Sequence, residues 1–183
     1  MNSSMSATAL VFSTLAFLLS LVVARRTKQI LESAEGRPAF VTPIGKSFPD
    51  IAPLLGSRGE LAPLGGEMGN PVILGVFSAG CAGCAEELPV FKELMVRHHV
   101  PRERAVAILV GEGAVADAFE LSLGEVCIVV RQELEGPVLE PLGIRSFPAF
   151  GVVAETGRIR SWGSGALALE KSMTEFARRP EDV

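Results

Sequence analysis

Tyrosine is absent from this 183-residue chain and Trp162 is its single tryptophan, which argues against an aromatic ligand cage. Basic residues are also few. Seventeen Lys and Arg against 21 Asp and Glu give a formal net charge of −4, and no dense Lys/Arg stripe occurs, so nucleic-acid binding has no support. Three cysteines are too few for a disulfide-stapled scaffold, and each has to be read from its surroundings. The chain is long enough for one globular domain with an appendage. No internal repeat or low-complexity tract is present.

Charge is missing altogether from residues 1–24, where Ala7–Ala24 (ATALVFSTLAFLLSLVVA) forms one apolar run. A helix of about 20 such residues crosses a bilayer, so the run predicts a transmembrane anchor. A cleaved signal peptide is the alternative. Against it, no Lys or Arg precedes the run and no small-x-small cleavage site precedes Arg25. Arg25, Arg26 and Lys28 follow the span, and the positive-inside rule then places the remaining chain in the cytoplasm. Thr27–Ala34 continues the helix until Gly36 and Pro38 stop it, giving an anchor and juxtamembrane helix over residues 1–35.

Pro38, Pro43, Pro49, Pro53, Pro63 and Pro71 punctuate residues 36–71 and exclude long helices there. Phe40, Ile44, Phe48, Ile51, Leu54 and Leu55 make the segment too apolar for a disordered linker. Its candidate strands are Phe40–Ile44 and Leu61–Leu64, read as an N-terminal hairpin packed on the domain.

The informative stretch is 70–89, NPVILGVFSAGCAGCAEELP. Val72–Phe77 is a short apolar run with β-branched residues, which predicts a buried strand. Ser78, Ala79 and Gly80 break it, Cys81-Ala82-Gly83-Cys84 follows, and from Ala85 the apolar residues recur at helical spacing through Leu88, Phe91, Leu94 and Met95. Two cysteines two residues apart, between strand and helix, fit into one helical turn. The helix N-terminus offers unpaired N–H groups and a positive dipole end to the first sulfur, favouring the Cys81 thiolate. Cys84 lies one turn inward as its partner. The pattern is that of a dithiol–disulfide redox site.

Farther on, Ala85–His99 completes this helix, Ala105–Val110 reads as a strand and Gly113–Leu121 as a short helix. Val126–Val130 is a further strand, and Leu134–Leu142 a short helix interrupted by Pro137. Ala149–Ala154 and Arg158–Trp162 form a hairpin around Glu155-Thr156-Gly157, and Ala166–Arg178 is a closing amphipathic helix. Strands alternating with helices, then a hairpin and helix, predict an α/β domain with a mixed central sheet and helices on both faces.

Cys81-x-x-Cys84-x-x-Glu87-Leu88-Pro89 resembles the CxxC-x-x-E-[ML]-P pattern of TlpA-like and ResA-like membrane-anchored thiol–disulfide oxidoreductases, MauD-like members included. Gly143–Phe150 (GIRSFPAF), with Gly157-Arg158-Ile159 beyond it, is similar to the family's cis-proline strand and hairpin, and Ile44–Asp50 (IGKSFPD) to its opening segment. The resemblance implies a thioredoxin-like fold over residues 36–178 and a tail at 179–183. It implies Cys81 as nucleophile, Cys84 as resolving thiol and Pro148 as cis-proline, with the Phe147 backbone turned toward the sulfurs to pair with an extended substrate. It needs no cofactor or metal. The implied partners are protein thiol or disulfide substrates, a membrane electron donor or thioredoxin-type reductant, and the bilayer. The implied location is outside the cytoplasm, opposite to the charge rule, with a role in protein or cytochrome maturation.

The chain departs from the pattern at several positions. Gly80 stands where Trp is usual, Ala82 and Gly83 supply neither Pro nor a charge, and Phe147 is bulky. Near the expected buried acid the strand offers only Val72 and Ile73, leaving Glu87 or Glu86 to assist proton transfer. A zinc site would require Cys127, His98 or His99 beside the CxxC, yet Cys127 reads as a buried small hydrophobe and the histidines as a solvated helix end. A peroxiredoxin would use Ser78, three residues before Cys81, with Arg145 or Arg131. Leu74, however, replaces that family's proline. A non-catalytic redoxin-fold assembly factor is the third alternative.

Overall fold

The computed structural model describes Ser20 and residues 43–49, 54–64 and 70–177. The chain divides into two compact units, Met1–Ala39 and Phe40–Val183, and the elements below all lie in the second. The expected anchor over Ala7–Ala24 and its basic flank fall outside the described residues, Ser20 apart. Among the described residues no helix is long and apolar enough to cross a membrane.

Strand β1 (Val72–Ser78) is the centre of a five-stranded sheet. On one side it pairs in parallel with β2 (Ala105–Val110), which pairs in parallel with β3 (Ile128–Gln132). On the other it pairs antiparallel with β4 (Ala149–Val153), which pairs antiparallel with β5 (Ile159–Gly163). The order is β3-β2-β1-β4-β5. Parallel neighbours need crossovers. Helix α1 (Ala82–Arg97) supplies the first and α2 (Ala114–Leu123) the second.

Side chains alternate along β1, so it serves two cores. Ile73 and Phe77 face α1, α2 and the C-terminal helix α4 (Ala166–Ala177), with Leu109, Val129, Phe150 and Val152 from the neighbouring strands. Val72, Leu74 and Val76 face the opposite side, covered by Val138, Ile144, the short helix α3 (Leu139–Leu142) and the N-terminal Phe48, Ala62 and Leu64. A strand covered on both faces loses the polar alternation of a half-exposed one. That is why β1 reads as a continuous apolar run.

At the centre of the first core Phe77, Phe91 and Phe150 meet with ring centroids 5.5–5.6 Å apart, two of the three pairs edge to face. Burying each ring contributes about 1.5–3 kcal/mol. Gly75 makes room for them, because a Cβ there would stand 2.8 Å from Phe77 Cε2 and 3.2 Å from Phe91. Gly151 does the same for Trp162 across the β4–β5 pair, where a Cβ would come within 2.4 Å of the indole.

Several element boundaries differ from the sequence expectation. Helix α1 begins at Ala82, three residues before Ala85, because Cys81 caps it, and it ends at Arg97 with His98 as C-cap. Strand β3 starts at Ile128 instead of Val126, since the Val126 and Cys127 N–H groups donate to the Leu123 carbonyl and prolong the end of α2. The helix expected over Leu134–Leu142 shrinks to Leu139–Leu142: Pro137 has no N–H to give a preceding turn, and Gly143, at φ 70°, closes the helix as a left-handed cap. The expected pairing of Phe40–Ile44 with Leu61–Leu64 is not present among the described residues, and 40–42 lie outside them. Instead the Gly45 N–H donates to the Ile159 carbonyl and the Phe48 N–H to the Gly157 carbonyl, so 45–48 runs along 157–159, the turn into β5 and its first residue. Leu55 and Leu61 close a tight loop of their own, tied to β3 by the Ser57 N–H on the Val129 carbonyl and to Arg102 by Glu60.

Candidate functional site

The carboxyl end of β1 delivers the chain to the mouth of α1, at the edge where open α/β sheets place their ligands. The turn Ser78–Cys81 closes with the Cys81 N–H on the Ser78 carbonyl at 3.1 Å. Cys81 is extended (φ −105°, ψ 116°), and its sulfur accepts the Cys84 N–H at 3.3 Å in place of a hydroxyl or carboxylate cap. This satisfies one of the orphan donors at the helix start and directs the dipole end at the sulfur.

Cys81 Sγ is half-buried and lies 3.4 Å from the Phe147 carbonyl oxygen, to which its thiol donates. The Phe147–Pro148 peptide is cis, and Pro148 is buried at the start of β4. Phe147 itself is half-buried and packs against both cores. The structure therefore brings together Cys81, Cys84, Phe147 and Pro148, residues separated by more than 60 positions in the chain.

Cys84 is fully buried, with 0% of its surface exposed. Ile73, Phe77, Leu88 and Phe91 belong to the same cluster, and the Ser78 N–H donates to its sulfur at 3.3 Å. Burial, only partly opposed by that N–H, pushes the Cys84 thiol up to about 12. The two cysteines are thus chemically unequal. One sulfur is partly open to solvent; the other is enclosed as a thiol. Of the two apolar residues that stand near the expected buried acid, Ile73 shares the Cys84 cluster and Val72 lies in the opposite core.

Glu87, expected to assist proton transfer, is bound elsewhere. Its carboxylate accepts the Ala166 N–H at 2.9 Å, capping α4, and makes no hydrogen bond to either sulfur. Gly165 precedes Ala166 and has no side chain to cap with, so the cap comes from α1 instead. Ser78, which the sequence pattern reads as a break after the strand or as a peroxidase serine, is instead the last residue of β1, and its N–H role depends on the path of β1 into the turn. Arg131 is held by Asp117 at 2.6 Å and by Glu120, and Arg145 is exposed.

Cys127 sits in the turn between α2 and β3, immediately before Ile128, fully buried with its thiol donating to the Leu123 carbonyl at 3.2 Å. Burial pushes it up to about 12. His98 lies 3.6 Å from Glu170. Among the described residues no three His, Cys, Asp or Glu side chains converge to hold a metal.

No protein-family model matches the sequence, and no curated protein matches it. Solved structures do. The thioredoxin domain of a thiol–disulfide oxidoreductase from Bacteroides vulgatus aligns at 18% identity and a TM-score of 0.56, covering 73% of this chain and 96% of that one. StoA from Bacillus subtilis aligns at 18% identity and 0.52, covering 69% and 98%. A secreted Mycobacterium tuberculosis disulfide oxidoreductase homologous to E. coli DsbE aligns at 13% and 0.51, covering 68% and 95%. The structural neighbours of this chain are thus thiol–disulfide oxidoreductases of the DsbE- and StoA-like kind, and the fold it shares with them is the thioredoxin-like fold.

Proposed function

We propose that this chain is a thiol–disulfide oxidoreductase acting on cysteines of protein substrates. The observation that carries the proposal is the position of Cys81 Sγ, at the start of α1 between the Cys84 N–H and the Phe147 carbonyl, with the Cys84 sulfur buried behind it.

The Cys81 thiolate attacks a substrate disulfide, forming a Cys81–substrate disulfide and releasing the other substrate sulfur as thiolate. Cys84 then attacks the Cys81 sulfur. Its proton passes to solvent or the departing thiolate, the substrate has gained two electrons, and the pair has lost two as an intramolecular disulfide. Two electrons from a membrane donor or a thioredoxin-type reductant restore the dithiol. A substrate chain in extended form pairs with the Phe147 backbone beside the sulfur.

In this reading Ala7–Ala24 tethers the domain to the membrane, with the domain outside the cytoplasm. Long folded segments are translocated despite basic flanks such as Arg25, Arg26 and Lys28. Protein or cytochrome maturation is the corresponding role.

The test is reduction of a protein disulfide such as insulin by the full-length chain in detergent with a thiol reductant. Cys81→Ser should abolish turnover, and Cys84→Ser should accumulate the mixed disulfide. Equal activity of the wild type and both variants would sink the proposal. Peroxide consumption needing Cys81 alone would point to a peroxidase. Labelling of Cys81 by a membrane-impermeant maleimide on intact cells decides the side.

A further inference from the structure

Glycines in this fold usually have an evident cause. At Gly75 and Gly151 a Cβ would collide with aromatic rings, and at Gly111, with φ 108°, it would stand 3.2 Å from Ala79. The two glycines flanking the reactive sulfur have no such cause. Neither Gly80 nor Gly83 is among the residues with positive φ, so the backbone there suits any L-residue. A Cβ on Gly80 would meet nothing within 4 Å. One on Gly83 would make ordinary contacts, 3.5 Å from Pro148 Cδ and 3.9 Å from Cys81 Sγ. Gly83 lies in the first turn of α1, where glycine is less favourable than alanine. Ala82, between Cys81 and Gly83, is exposed.

A residue type that neither backbone nor packing requires, placed on both sides of a nucleophile, marks close approach by something outside the fold. Exchange requires the substrate disulfide to reach Cys81 Sγ end-on, which brings the residues flanking the substrate cysteine over positions 80 and 83. Any side chain longer than a methyl at Gly83 would project beside Pro148 and the sulfur into that space.

We infer that Gly80 and Gly83 are specificity-determining residues, forming a side-chain-free shelf beside Cys81 that admits protein disulfides whose cysteine is flanked by bulky residues. The inference rests on the exchange activity proposed above and names its substrate class.

The experiment uses two disulfide-linked peptide substrates, one with glycines and one with tryptophans beside the cysteine. Both are reduced by the full-length chain in detergent, with the Cys81→Ser rate subtracted. The readout is the ratio of kcat/KM for the tryptophan-flanked over the glycine-flanked peptide. Wild type should give a ratio within threefold of one. Gly83→Leu and, independently, Gly80→Trp should lower it at least tenfold, while Gly83→Ala should stay near wild type because its methyl fits. Alkylation of Cys81 by iodoacetamide, too small to touch the shelf, should keep its rate in every variant within threefold. A wild type that rejects the tryptophan peptide tenfold, or bulky variants that leave the ratio in place, would overturn the shelf alone. A loss of alkylation as large as the loss of exchange would also overturn it, because the sulfur itself would then have changed. No Cys81-dependent exchange with either peptide would overturn the proposed activity, and the shelf with it.

Discussion

The burial of Cys84 predicts a pH profile for the second half of the exchange. Once Cys81 carries the substrate, Cys84 is the attacking thiol, and it must ionise inside an apolar cluster with the Ser78 N–H as its donor. Its rise from an ordinary 9.0 to about 12 is three units, chiefly from burial. The smaller part owed to the Cys81 thiol is lost once that sulfur carries the substrate, so three units is the upper bound for this step. At 1.36 kcal/mol per unit, ionising the sulfur in place costs about 4 kcal/mol more than in an exposed thiol. Below pH 9 the thiolate fraction is therefore about a thousandfold smaller. A more basic thiolate is also a better nucleophile, and a Brønsted slope of about 0.45 returns roughly 25-fold, leaving a deficit of about 40-fold. The proximity of the two sulfurs offsets this, since well-oriented intramolecular attack reaches effective molarities of about 10⁵ M or more. The measurable consequence is slope. In single turnovers quenched with acid and read by mass spectrometry, decay of the mixed disulfide should accelerate about tenfold per pH unit from 7 to 10, with no plateau. A profile that levels off below pH 9 would refute the reasoning, because it would mean that the fold ionises Cys84 despite its burial.

Two further outcomes follow from packing and from the second buried thiol. Gly151→Ala puts a Cβ 2.4 Å from the Trp162 indole and 2.8 Å from the Ser161 carbonyl, so denaturant unfolding should show a loss of about 1–3 kcal/mol, with altered Trp162 fluorescence. An unchanged midpoint would show that β5 shifts without cost. Cys127, raised from 9.0 to about 12, keeps its full stabilising contribution below pH 9 and loses it as pH rises toward 12, because the folded state there holds a proton that the unfolded state has released. Between pH 8 and 10.5 the stability of Cys127→Ala should thus fall by about 2 kcal/mol less than that of wild type. Parallel curves would contradict the burial argument.

The sequence by itself determined the parts whose cause is local. The apolar run of β1, the helical spacing of Leu88, Phe91, Leu94 and Met95, and the turn at Glu155-Thr156-Gly157 follow from period and turn chemistry within a few residues. The dithiol was legible for the same reason, because strand, turn, both cysteines and helix are contiguous. Tertiary structure alone decided which distant groups complete the site. Cys81 meets a carbonyl 66 positions away and Glu87 caps a helix 79 positions away, where the family resemblance suggested proton transfer. It also took Gly45 to the first residue of β5 and Phe48 to the turn before it, and not to a hairpin of their own. Periodicity records which face of an element is buried. Which edge or helix end then captures an unpaired backbone group depends on packing between elements, and no short stretch of sequence carries that.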